Sequence, residues 1–239
     1  MSGQSTEHLA AVSQQAVQHL LGRHSDGFDI LEVAFLKAAL QSASYYEARM
    51  RAAPAFANKL DLLSHAIRLA KLDGLFLEFG VGAGETINHI ATQIDKGRVV
   101  FGFDSFAGLP ETWRTGFAKG AFAQSTLPAS PDHVTLIEGH FDDTLRPFLE
   151  TDPEPVAFVH VDCDLYSSTR SLLKQLAPRI GEGSIIVFDE YFNFPGWQQD
   201  EFKAFQELVA DYNLLYDYIG FVSSDQQAAV CITKGRNVS

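Results

Sequence analysis

Cysteine is scarce and positive charge is in deficit. Only two cysteines occur among 239 residues, Cys163 and Cys231. Both stand in apolar, strand-like segments, so buried free thiols are expected rather than a disulfide, and neither has histidine partners at the spacing of a zinc site. The 18 Lys and Arg are outnumbered by 30 Asp and Glu, leaving a net charge of -12. Scattered, outnumbered basic residues cannot build the phosphate-binding surface that nucleic acid requires. No apolar run approaches the roughly 20 residues that span a bilayer, and no basic stretch followed by an apolar one opens the chain. The expectation is a cytoplasmic protein acting on a small molecule, with neither nucleic acid nor membrane as partner. No internal repeat or low-complexity segment is present, and the length suits one α/β domain.

What is present begins at Leu75-Phe76-Leu77-Glu78-Phe79-Gly80-Val81-Gly82-Ala83-Gly84-Glu85-Thr86. An apolar strand runs into three glycines, and a helix follows whose free N–H groups point back at the loop. A dinucleotide site would read G-x-G-x-x-G/A. Here Gly80, Gly82 and Gly84 fall at alternate positions and Glu85 fills the sixth place, where it is too large. The pattern E-x-G-x-G-x-G resembles the first motif of the S-adenosylmethionine (SAM) methyltransferases, which makes Glu78, Gly80, Gly82 and Gly84 candidate cofactor residues. The next strand ends in Asp104, at the offset where a doubly wound fold places its acceptor for ribose hydroxyls. The alternative for Asp104 is a helix cap or turn residue.

Apolar residues recur at helical spacing over 6–21, 31–51 and 56–72, with Asp73-Gly74 closing the third helix. The stripe Leu31, Phe35, Ala38, Ala39, Ser42, Tyr45 and Tyr46 is wide enough to cover both the cleft and a second subunit, so a homodimer is expected. From residue 74 strands (75–79, 99–103, 134–137, 156–161, 184–188) alternate with helices (86–94, 142–149, 168–177, 198–210), which predicts a parallel sheet. The last two β-rich runs, 214–222 and 227–233, are joined closely enough for a hairpin, so the terminal strand should run antiparallel.

A second cluster of chemistry lies at the strand ends. Asp162 and Asp164 follow the run 156–161, and positions i and i+2 of a strand share a face. Asp189 and Glu190 follow the next strand at the equivalent edge. Carboxylates gathered this closely need a partner to stay ionised, most simply a hard divalent cation with oxygen ligands. The alternative is that each caps a turn or helix. His160, a lone strand histidine, reads as structural.

Three strings, Phe101-Gly102-Phe103-Asp104-Ser105-Phe106-Ala107-Gly108-Leu109-Pro110-Glu111, His160-Val161-Asp162-Cys163-Asp164-Leu165-Tyr166 and Val187-Phe188-Asp189-Glu190-Tyr191, together resemble the macrocin O-methyltransferase family, metal-dependent enzymes that methylate sugar hydroxyls. The resemblance implies an α/β fold with a Rossmann-like, seven-stranded class I methyltransferase sheet over 74–239 and an N-terminal helical extension over 1–73. It implies that Asp162, Asp189 and Glu190 bind magnesium, with Glu190 one methylene longer than the Asp of many relatives. It assigns to Asp164 the proton of the acceptor hydroxyl, and it adds Ser105, Gly139, Phe141 and Asp162 to the cofactor site. Phe141 is either a platform for the adenine base or a core residue. The loop 105–131, with Trp113, is either a lid that walls the acceptor pocket together with 192–197 or a surface loop ordered by its aromatics. The alternatives are a catechol- or polyol-type O-methyltransferase, a non-catalytic interaction protein that kept the fold, and a nicotinamide-dependent oxidoreductase, which leaves the four carboxylates without a purpose.

Overall fold

The computed structural model describes residues 28–235, together with Val12 and Gln15. The helix expected over 6–21 lies outside the described residues apart from those two positions, both helical. The first helix, α1 (Ile30–Tyr45), is capped by Asp29, whose carboxylate accepts from Leu31 N–H and Glu32 N–H. It is followed by a π turn over Tyr46–Met50, so the long helix expected to residue 51 changes pitch at its end. The extra residue in that turn lets Tyr45 pack edge-on against Trp197 and Phe202 while Met50 remains buried.

The helix expected to begin at Phe56 begins later. Ala55–Phe56 form a short strand, β1, and Asn58 caps α2 (Lys59–Leu69) by accepting from Asp61 N–H at 3.0 Å. The asparagine cap, rather than the apolar periodicity, sets the start of that helix. The succeeding elements are β2 (Leu75–Phe79), α3 (Glu85–Gln93), β3 (Val100–Asp104), β4 (Val134–Glu138), α4 (Phe141–Thr151), β5 (Val156–Val161), α5 (Tyr166–Leu176), β6 (Ile185–Phe188), α6 (Glu201–Tyr212), β7 (Leu215–Val222) and β8 (Ala228–Lys234).

The sheet order is β1-β7-β8-β6-β5-β2-β3-β4. Strands β2 to β6 run parallel, and β8 lies antiparallel between β6 and β7 as the hairpin predicts. The seven expected strands are all present, and β1 adds an eighth, pairing parallel with the edge of β7 through Ala55↔Phe221 and Phe56↔Val222. The central strands β2, β5 and β6 are buried along their whole length, as a sheet covered by helices on both faces requires.

Alternation along those strands separates two cores. Leu77, Phe79, Val159, Val161, Ile186 and Phe188 face one layer with Trp197 and Phe205, while Phe76, Phe158, Ile185 and Val187 face the other with α2 and α3. The even positions of β2 and β5 therefore bring Glu78, in register with His160, onto the α2–α3 face. No helix among the described residues is long and apolar enough to cross a membrane.

Candidate active site

A cavity of about 720 Å³ opens at the carboxyl edge of the sheet, between the glycine loop and the loop 105–131. This is where an open α/β sheet binds ligands. Its lining includes Gly80, Gly82, Asp104, Ser105, Gly139, Phe141, Asp162, Asp164, Asp189 and Glu190. Two candidates from the sequence lie elsewhere. Gly84 caps α3 and faces Pro128, and Glu78 is fully buried beneath the glycine loop.

The glycine loop is tied down by Asp104. One of its carboxylate oxygens accepts from Val81 N–H and Gly82 N–H at 2.9 and 2.8 Å, and the other accepts from Phe106 N–H at 2.7 Å. Gly80 (φ +91°) and Gly82 (φ +50°) both occupy the left-handed region but for different reasons. A Cβ on Gly80 would meet the Asp162 carbonyl oxygen at 1.6 Å, so this glycine permits β2 and β5 to converge. A Cβ on Gly82 would meet nothing within 4 Å, because it would project into the open cavity. Phe141 lines the cavity and also sets its ring edge-on to Phe79 at 5.2 Å, so it belongs to both cavity and core.

The acidic side chains converge beyond β5 and β6. Strand β5 ends at Val161, so a shared strand face does not explain why Asp162 and Asp164 meet. A tight turn does: Leu165 N–H donates to Cys163 O at 2.6 Å around Asp164, which is held at φ +62°. Such γ-turns with positive φ are rare and strained, and strain of this kind concentrates at functional sites. Burial pushes the Asp164 carboxyl up to about 7, with Arg114 opposing the rise. Burial also pushes Asp162 and Glu190 well above the usual carboxylate range, and the charge of Asp189 adds to the effect in both. Asp189 behaves oppositely: burial opposes its charge, but His160 and Lys59 hold its carboxyl below the ordinary value.

His160 is buried but not isolated. Its Nδ1 lies 3.0 Å from Glu78 Oε1, which also accepts from Thr86 Oγ1, and its Nε2 lies 3.7 Å from Asp189 Oδ1. Burial opposes charge on the ring, yet the two flanking carboxylates outweigh it and push the imidazole up to about 10. A chain from Thr86 through Glu78 and His160 to Asp189 thus links the glycine loop to the acidic cluster. The pairing of His160 with Glu78 depends on strand register.

Two further residues were absent from the sequence reading. Lys59, the first residue of α2, places its Nζ 3.6 Å from Asp189 Oδ2. Arg114 lies 3.7 Å over the Trp113 ring and 4.7 Å from the Phe194 ring, and its charge bears on Glu190 and Asp164. The loop that carries Arg114 is anchored by Ser167 Oγ donating to Glu111 at 2.7 Å, and by Leu109 and Ala121 pairing across it. With Phe117, Phe122 and Leu109 it walls one side of the cavity.

The acidic cluster has the donor set of a cation site. One ligand atom from each of His160, Asp162 and Asp189 lies within 4.8 Å of the others. Among the described residues, Asp189 Oδ1, Glu190 Oε2 and His160 Nε2 are buried without a hydrogen-bond partner. Buried polar atoms are normally satisfied, so their concentration in one cluster fits a cation.

A family described as a methyltransferase domain matches this chain from residue 77 to residue 191, the stretch that carries β2, the glycine loop and all four carboxylates. That match takes in just under half of the chain. The 8-demethyl-8-(2,3-dimethoxy-alpha-L-rhamnosyl)-tetracenomycin-C 4'-O-methyltransferase of Streptomyces olivaceus is 28% identical over 159 residues, covering 56% of this chain and 60% of that protein. The demethyldecarbamoylnovobiocin O-methyltransferase of Streptomyces niveus is 30% identical over 131 residues, covering 46% of this chain and 48% of that protein. The chain therefore spans only part of the length of both. The crystal structure of the calicheamicin methyltransferase CalS11 superposes with a TM-score of 0.58 at 23% identity, over 72% of this chain and 77% of that one, a likeness of fold. Both relatives are named as O-methyltransferases of natural products, in line with the resemblance read from the motifs, and the sheet shares its fold with that methyltransferase.

Proposed function

We propose that this chain is a cytoplasmic, SAM-dependent O-methyltransferase that acts on a hydroxyl of a small molecule, a sugar or glycosylated natural product, with magnesium at its acidic cluster. The observation that carries this reading is a single cavity with two chemically distinct ends. One end is a glycine cradle whose Gly82 leaves open space, and the other is a set of carboxylates with unsatisfied buried oxygens.

In this reading Gly80, Gly82, Asp104, Ser105, Gly139 and Phe141 hold SAM. The remaining acceptor site on Asp104 Oδ1 would take a ribose hydroxyl, while the bonds of Oδ2 to Val81 and Gly82 fix the loop. Glu78 and Gly84 act from behind, shaping the loop rather than touching the cofactor. Asp162, Asp189 and Glu190 would hold magnesium; the first two fall in one group with His160, whose imidazole, oriented by Glu78, would join them on giving up its Nε2 proton. When bound, the ion would lower the pKa of the acceptor hydroxyl and orient it. Asp164 would accept the hydroxyl proton at its carboxylate. Arg114 and the aromatic wall would position the acceptor and exclude water. The direct test is transfer of labelled methyl from SAM to vicinal-diol sugars with and without EDTA; transfer that is indifferent to EDTA would sink the magnesium assignment, and no transfer to any hydroxyl would sink the activity.

Removal of divalent cations has a predictable effect on stability. Asp162 and Glu190 have raised folded-state pKa values, as does His160 at about 10. Each contributes stability that is present below its unfolded pKa and is lost as pH rises through the folded value, so the cation-free protein should weaken from about pH 4 upward through Asp162 and Glu190, and from 6.5 to about 10 through His160. Magnesium should reverse this by replacing protons, raising the melting temperature by roughly 5–10 °C at saturation and more at pH 8 than at pH 6. Asp189→Asn should abolish the shift; a shift of equal size in that variant would place the ion elsewhere.

The homodimer rests on α1. Ala38 and Ser42 pack inward, but Ile30 (80% exposed), Leu31, Phe35 and Leu40 do not, so only part of the expected stripe is used within the chain. These side chains leave apolar surface on more than one side of α1, and exposed apolar surface is what an interface covers. Sedimentation should give a dimer at micromolar concentration, and Phe35→Glu with Leu40→Glu should give a monomer; a monomeric wild type would contradict the assignment.

A further inference from the structure

Lys59 stands where a helix least favours a cation. It is the first residue of α2, and the N-terminus of a helix carries about half a positive charge, which disfavours a lysine there. The compensation is the acidic cluster. Asp189, Asp162, Glu190 and Glu85 all act on its ammonium, and Asp189 Oδ2 is its ion-pair partner at 3.6 Å. Charge-assisted hydrogen bonds settle at about 2.7–2.9 Å, so this pair is held by charge without a tight bond.

Asp189 and the two groups around it differ in freedom. Asp189 itself is only 8% exposed, and His160, on its other oxygen, is fully buried and bound to Glu78. The Lys59 side chain is 31% exposed and lines the cavity, so its ammonium alone can withdraw along a flexible stem.

We propose that Lys59 is a resident counter-ion that exchanges with the divalent cation at Asp189, weakening cation binding and keeping it reversible. This rests on the magnesium reading given above. With the dication on Asp189, like-charge repulsion moves the ammonium out into the cavity; without it, the ammonium returns and keeps Asp189 ionised. Arg114 does not take this part, because its guanidinium is stacked on Trp113 and bears on Glu190 and Asp164.

The experiment is calorimetric titration of magnesium into cofactor-free enzyme, for wild type, Lys59→Met, Lys59→Gln and Lys59→Arg, with folding checked by circular dichroism. Lys59→Met and Lys59→Gln should bind magnesium about tenfold more tightly than wild type, equal to about 1.4 kcal/mol, and Lys59→Arg should stay near the wild-type value. Two neutral variants guard against one that fails to fold. Should wild type bind and the neutral variants bind equally or more weakly, the counter-ion role is overturned while the magnesium site stands. Should neither wild type nor any variant bind magnesium, the magnesium reading falls, and this inference with it.

Discussion

Asp164→Asn is expected to lower turnover by about 10²–10⁴ while leaving SAM and magnesium affinity within a few-fold of wild type, because it keeps the shape of the side chain and removes the proton acceptor. Asparagine also tolerates the left-handed conformation that the γ-turn imposes at φ +62°, so the turn should survive. The pH profile supplies a second reading. With its carboxyl pushed up to about 7 in the cation-free protein, Asp164 is protonated in acid, so the wild-type rate should fall on an acid limb at or below pH 7. That limb should vanish in the asparagine variant. Loss of magnesium binding together with activity would make Asp164 a ligand instead, and full activity would remove it from the mechanism.

The two central glycines are expected to fail in opposite ways. Gly82→Val adds a side chain that meets no protein atom within 4 Å, so the fold should persist apart from backbone strain at φ +50° of order 1 kcal/mol, while SAM affinity falls well over tenfold. Gly80→Ala drives a Cβ to 1.6 Å from the Asp162 carbonyl oxygen, and β2 and β5 must part to admit it. That variant should lose about 3 kcal/mol or more of stability, seen by denaturant unfolding, before any question of binding arises. If Gly82→Val binds SAM normally, the cofactor lies elsewhere in the cavity.

Much of this was legible in the sequence because it is local. A strand, a glycine run and a helix cap follow one another over a dozen residues from Leu75, and Asp189 and Glu190 directly follow an apolar strand. The terminal hairpin is likewise set by a short connection between two β-rich runs. What depended on lateral packing was not legible. Glu78 meets His160 only through the β2–β5 register, so a residue read as a cofactor contact proves to be buried and a histidine read as isolated proves to link two sites. Lys59 reaches Asp189 because α2 lies over the same sheet face, and its place in an amphipathic helix carries no sign of that. Arg114 reaches the carboxylates because a long loop folds back over the cavity, a path with no periodic signal. β1 was hidden by its length, two residues being too few to show alternation.

The central claim is that the cavity holds SAM, and it is met most directly by native mass spectrometry of the purified protein incubated with equal concentrations of SAM and NAD. The account predicts one SAM per subunit and no NAD, with the SAM complex lost in Gly82→Val. Retention of NAD, or of neither nucleotide by a folded protein, would contradict it.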